Sequence, residues 1–169
     1  MEAAGEDPYL NAVMAAAAVN GYQGEDLFDL DTIIACAKHF AGYGFTVDGK
    51  DYNTVMVDES TLWDVVLPPF RASLDAGVLS FMNGFHALNG VAVTADVGLV
   101  RGLLKEEWGF QGLVLSDWRS IDQLVPHGVA ADERDAARLA ILAGCDMDMM
   151  SPCYPDHLAD LVRAGEIPE

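Results

Sequence analysis

The chain has 169 residues, which bounds it to one domain or a piece of one. That length falls short of the roughly 250 residues of a closed eight-stranded α/β barrel. Hydrophobic residues make up 51% and charged residues 21%, which excludes a disordered chain, and acids outnumber bases 27 to 9, for a formal net charge of −18. This balance speaks against nucleic acid or an anionic membrane as partner, because both are bound through Lys/Arg patches.

The acidic start, Met1 to Asp7, lacks the positive charge of a signal peptide, and the run Ala12 to Val19 is too short to span a bilayer. A cytoplasmic location is expected if Met1 is the true start. Tyr9 to Tyr22 reads as a helix, with Asp7-Pro8 as cap and first turn. Thr32 to Ala37 reads as a buried strand that places Lys38 and His39 at its end. Asp58 to Asp75 reads as a helix that Pro68-Pro69 must kink or split. Val78 to Met82 is the second strand, Thr94 to Trp108 a helix capped by Thr94, and Leu113 to Ser116 the third strand. Asp132 to Ala143 is a helix with acids in its first turn, Cys145 to Met149 the fourth strand, and Tyr154 to Arg163 the last helix. About four short apolar strands alternating with five helices define an α/β fold with parallel strands and right-handed crossovers. In such sheets the loops after the strands form the ligand-binding edge. The longest of them are His39 to Val57 and Asn83 to Val93.

Polar residues at those strand ends are the candidates for chemistry. Asp117 follows the third strand and reads as a nucleophile, a metal ligand or a helix cap. Trp118 beside it offers an indole face to a sugar ring, or simply packs. Lys38 and His39 can donate hydrogen bonds to vicinal hydroxyls; the plainer reading is a solvated Lys and a structural His. Asp146 and Asp148 share a strand face, as a pair that holds a divalent metal does, but no phosphate-binding loop precedes them. His86, His127 and His157 lack ligand spacing, and no metal or other cofactor is expected. Cys36, Cys145 and Cys153 form neither a disulfide framework nor a metal spacing. Cys36 and Cys145 lie in apolar runs and are expected to be buried.

Together the segments resemble glycoside hydrolase family 3, collinearly and over essentially the whole chain. The matching stretches are Gly5 to Leu10 (GEDPYL), Ala37 to Gly44 (AKHFAGYG), Gly49 to Thr54 (GKDYNT), Leu67 to Phe70 (LPPF), Asp75 to Val78 (DAGV), Leu88 to Gly90 (LNG), Glu107 to Gly112 (EWGFQG) and Val114 to Trp118 (VLSDW). The resemblance implies part of a (β/α)8 TIM barrel over residues 1–169, with the family's C-terminal α/β sandwich domain absent. It implies retaining hydrolysis of a β-glucoside or related small saccharide. Asp117 matches the nucleophile, Lys38 and His39 the pair that hydrogen-bonds the sugar, and Trp118 a residue flanking the next subsite. Phe85 stands where some members have a Tyr beside the nucleophile. Tyr43 stands where the N-acetylglucosaminidase branch has a His, which favours a β-glucosidase-like activity.

Retaining hydrolysis needs two carboxyl groups about 5 Å apart. Lys38 is expected to favour the ionised form of Asp117. Glu106 and Glu107 precede the nucleophile strand at the wrong edge, Glu59 opens a helix, and the family's acid residue lies on the second domain. The chain is therefore expected to be an internal slice of a barrel, inactive alone and prone to self-association through exposed strand edges. Two other readings stand beside this one: a non-catalytic domain that binds sugar or a partner, and a metal-dependent nucleotide-sugar transferase using Asp146 and Asp148. A phosphoacceptor domain on Asp117 lacks the extra acids that hold Mg²⁺.

Overall fold

The computed structural model describes residues 4–169; Met1 to Ala3, part of the acidic start, lie outside the described residues. Helix α1 spans Pro8–Gln23, with Asp7 accepting from the Leu10 N–H as its cap and Pro8 in its first turn. Strand β1 is Cys36–Phe40. After a loop that carries the short strand β2, Thr54–Val55, come α2, Glu59–Thr61, and α3, Leu67–Asp75. The expected break at Pro68-Pro69 takes the form of a wide turn, Leu62–Val66, with i→i+5 hydrogen bonding just ahead of the prolines, which lack the amide donors an α-helix needs there. Then follow β3, Ser80–Asn83, the hairpin of β4, Ala87–Leu88, and β5, Val91–Ala92, and a π-type helix, Val97–Glu107. Strand β6, Leu113–Leu115, leads through a turn to α4, Glu133–Ala143, and α5, Cys153–Arg163.

The main sheet is parallel, in the order β1-β3-β6. Cys36 pairs with Ser80, and Ser80 with Leu113. The expected fourth strand is reduced to one parallel bridge, Leu115 to Met147, with Asp146 and Met147 donating to the Val114 carbonyl. The α/β fold read from the sequence is therefore present, with its strands in sequence order across the sheet. One sheet face packs on the helices: Phe40 and Phe81 are fully buried and meet edge-on at 5.6 Å, with Phe70 and Phe110 around them. Gly112 is dictated by this packing, since a Cβ there would lie 2.3 Å from the Leu79 carbonyl oxygen and 2.6 Å from the Phe110 ring. A second cluster joins α4 and α5 through Ala136, Ala140, Cys145 and Leu161, and the Tyr154 hydroxyl donates to the Cys145 carbonyl at 2.6 Å.

Several expectations need correction. The first strand begins at Cys36, four residues late, because only there does β3 offer a ladder partner; Ile33 and Ile34 stay exposed. Cys36 is exposed at the start of β1, whereas Cys145 is buried. The helix expected from Thr94 starts at Val97 with Asp96 as its cap, accepting from the Leu99 N–H. Thr94 is buried instead, its hydroxyl hydrogen-bonded to the Gly84 carbonyl and the Ser120 hydroxyl. The sheet β2-β4-β5 was not foreseen; it folds the two long loops together, with β2 parallel to β4 and β4 antiparallel to β5.

Candidate active site

The carboxyl edge of the main sheet collects residues far apart in sequence. Lys38 and His39 lie within β1, near its end, rather than after it. Phe85 follows β3, and Asp117 follows β6 by two residues. The turn carrying Asp117 is fastened on both sides. Ser116 donates its N–H to the Met147 carbonyl, and its hydroxyl accepts from the Met149 N–H at 2.8 Å. The Arg119 N–H donates to the Met149 carbonyl, and the Thr94 and Ser120 hydroxyls are hydrogen-bonded at 3.0 Å. Arg119 has φ 52, a left-handed conformation that turns the chain sharply after the strand.

Asp117 is buried. One carboxylate oxygen, Oδ1, accepts from the Trp118 N–H at 2.6 Å. The other, Oδ2, lies 3.6 Å from His39 Nε2 and has no hydrogen-bond partner among the described residues. Burial pushes the Asp117 carboxyl above the usual carboxylate range; the Trp118 N–H, His39 and Lys38 pull the other way with less effect. Lys38 thus acts in the expected direction, but desolvation wins. Asp117 is not a helix cap: a turn follows it, and the next short helical segment, Asp122–Leu124, is preceded by Ile121. Asp146 and Asp148 hold separate partners. Asp146 pairs with Lys105 at 2.6 Å and accepts from the Val114 N–H, while Asp148 accepts from the Ser151 hydroxyl and the Tyr154 N–H. Among the described residues no group of three or more His, Cys, Asp or Glu is placed to hold a metal ion.

An aromatic wall stands beside Asp117. Phe85 stacks on Tyr52 at 4.4 Å and meets Tyr43 edge-on at 5.1 Å, and Tyr43 meets the His39 ring at 4.9 Å. Tyr43 also donates its hydroxyl to Asp51 Oδ1 at 2.6 Å. Trp118 is 53% exposed, with its indole available to a ligand. His86, given no role from sequence, is fully buried beneath this wall, with Nε2 2.8 Å from the Ala41 carbonyl oxygen. Gly84 leaves the space for it, since a Cβ there would lie 2.4 Å from the imidazole. Burial holds His86 below the ordinary histidine range, so it is neutral and donates Nε2–H to that carbonyl. Asp51, Tyr52 and His86 were missed as site residues. The first two lie in the GKDYNT segment, whose spacing signalled a motif but not a role. A groove of about 860 Å³ runs from α1 across β1 to Lys38, His39 and Tyr43.

A parallel α/β sheet of the barrel type, with a buried carboxylate, an imidazole and a lysine gathered at its carboxyl edge, defines the class of domain. The family description "Glycosyl hydrolase family 3 N terminal domain" matches residues 1–169, and the chain belongs to that family. It is 40% identical to the periplasmic β-glucosidase of Salmonella typhimurium, over 98% of this chain and 22% of that protein. It is 39% identical to a β-xylosidase of Formosa agariphila, over 88% of this chain and 21% of that one. The crystal structure of the β-glucosidase from Listeria innocua in complex with glucose superposes with a TM-score of 0.96 at 37% identity, covering 99% of this chain and 24% of that one. The chain thus spans between a fifth and a quarter of the length of these three relatives.

Proposed function

We propose that these residues form part of a (β/α)8 barrel that hydrolyses β-glucosides, or related small saccharides, with retention of configuration. The observation that carries this reading is Asp117: a buried carboxylate on a sheet-fixed turn, with one oxygen held by a backbone N–H and the other unpartnered beside His39. A nucleophile needs this arrangement, because its attacking oxygen must be positioned without being occupied. In the proposed reaction Asp117 Oδ2 attacks the anomeric carbon as the glycosidic C–O bond breaks, and a carboxylic acid protonates the leaving oxygen. Water then cleaves the glycosyl ester, and the acid acts as base. Lys38 and His39 donate hydrogen bonds to the sugar hydroxyls, Phe85 walls the ring, and Trp118 flanks the next subsite. The glucose complex of the Listeria relative supports a saccharide ligand here.

The family resemblance implies an acid outside these residues. Glu106 and Glu107 end the helix that leads into β6, at the far edge of the sheet, and Glu59 sits in the first turn of α2, next to its cap Asp58. The 169-residue chain alone is accordingly inactive. Exposed Phe28, Leu30, Ile33 and Ile34 beside β1 favour self-association or docking of further barrel segments. An aryl β-glucoside assay tests the reading. No turnover is expected from the chain alone, and turnover abolished by Asp117→Asn is expected once the missing barrel and an acid carboxyl are supplied. Turnover by the isolated chain, or its persistence in Asp117→Asn, would overturn it.

A further inference from the structure

The Asp117 carboxylate is oriented by a single backbone donor, the Trp118 N–H at 2.6 Å. That donor belongs to an exposed residue in a sharp turn, where a peptide plane is free to tilt unless something holds it. The opposite end of Trp118 is held: its carbonyl oxygen accepts from the Tyr52 hydroxyl at 2.9 Å, across 66 residues of sequence. Tyr52 is itself fixed. Its ring stacks on Phe85 at 4.4 Å with 29° between planes, and its backbone is left-handed, with φ 58, which aims the side chain back across the loop. The peptide that carries the Trp118 N–H is fastened at its other end, where the Asp117 carbonyl accepts from the Ser120 N–H at 3.1 Å and the Ser116 hydroxyl at 3.0 Å. Tyr52 adds a hold on the following peptide, beside the Arg119 N–H bond to Met149, and is the one that reaches the turn from the loop after β1.

We propose that Tyr52 is a positioning residue for Asp117: its phenol anchors Trp118, and Trp118 in turn fixes Oδ1 and leaves Oδ2 toward His39. Tyr52 does not touch the reacting oxygen and is not a catalytic residue. The link couples the loop after β1, which also carries Tyr43 and Asp51, to the turn after β6, so movement of that loop is felt at the carboxylate. Its catalytic meaning rests on Asp117 being the nucleophile; the link itself does not.

The experiment uses the 169-residue chain with ¹³C-labelled aspartate and NMR detection of the Asp117 carboxyl. Tyr52→Phe removes one oxygen and keeps the ring on Phe85. The Trp118 N–H is among the groups that hold the Asp117 titration down, alongside His39 and Lys38 and against Asp51. Loosening it is expected to raise the Asp117 midpoint by about half a pH unit, roughly a threefold change in proton affinity. The Trp118 amide is expected to exchange with solvent about tenfold faster. An unchanged midpoint together with unchanged Trp118 exchange would overturn the proposal. In the unsubstituted chain, Trp118 exchange as fast as that of an open loop would overturn it as well, whether or not the variant folds. Covalent labelling of Asp117 by an activated 2-fluoroglucoside in active protein tests the nucleophile separately, so failure of that reading is distinguishable from failure of this one.

Discussion

Asp117→Asn is expected to stabilise the chain at neutral pH while removing the group proposed to attack the sugar. Asp117 Oδ2 is buried, has no hydrogen-bond partner among the described residues, and lies 3.6 Å from the His39 ring, beyond hydrogen-bonding distance. A buried unsatisfied polar atom costs about 1–3 kcal/mol, and more when ionised. An Asn side chain keeps the bond from the Trp118 N–H and sheds the charge. A gain of about 1 kcal/mol corresponds to about 2–4 °C in Tm for a chain of this size. The sign follows from the direction of the shift. A carboxyl raised by burial releases its proton later in the folded state than in the unfolded chain, so its ionisation destabilises the fold above the folded pKa. The advantage of Asn is therefore largest near neutral pH and fades as acid protonates Asp117 in the parent protein. Thermal unfolding followed by circular dichroism from pH 4 to 8 reads this directly. A variant less stable at pH 7, or a difference independent of pH, would refute the reasoning.

Three further outcomes are expected. His86, held below its ordinary value of 6.5 by burial, takes up a proton in the unfolded chain before the folded one does; stability therefore falls as pH drops below about 6.5, and His86→Asn should lack that slope in denaturant titrations. Phe81→Ala removes a fully buried ring from the aromatic core and should cost about 3–5 kcal/mol in urea unfolding. Gly112→Ala drives a methyl into the Leu79 carbonyl and the Phe110 ring and should cost about 1–3 kcal/mol, seen as a lowered midpoint at constant m-value.

The alternation of short strands and helices was legible because each apolar run is closed by a residue with one local preference. Asp7, Asp58 and Asp132 cap helices, and Gly144 ends one. Boundaries set by partners were not legible. The start of β1 depends on where Ser80 lies, and the fourth strand shrinks to one bridge because Asp146 turns to Lys105 and the Val114 N–H. Thr94 and Asp96 are both good caps in isolation; burial against Ser120 decides between them. At the site, Asp117, Lys38, His39 and Phe85 lie around one strand-end cluster. Tyr52 and His86 escaped because their partners, the Trp118 and Ala41 carbonyls, are backbone atoms brought close only by tertiary folding.

The sheet order β1-β3-β6, followed by the bridge at Met147, has a consequence for how the chain assembles. Each parallel ladder joins a strand to the next one made, so during synthesis each can close once one more helix and strand have emerged. The Tyr52–Trp118 bond spans 66 residues and cannot form until the turn after β6 is present. Asp117 is therefore oriented late, and a chain ending before residue 118 lacks both the N–H that holds its carboxylate and the carbonyl that Tyr52 anchors.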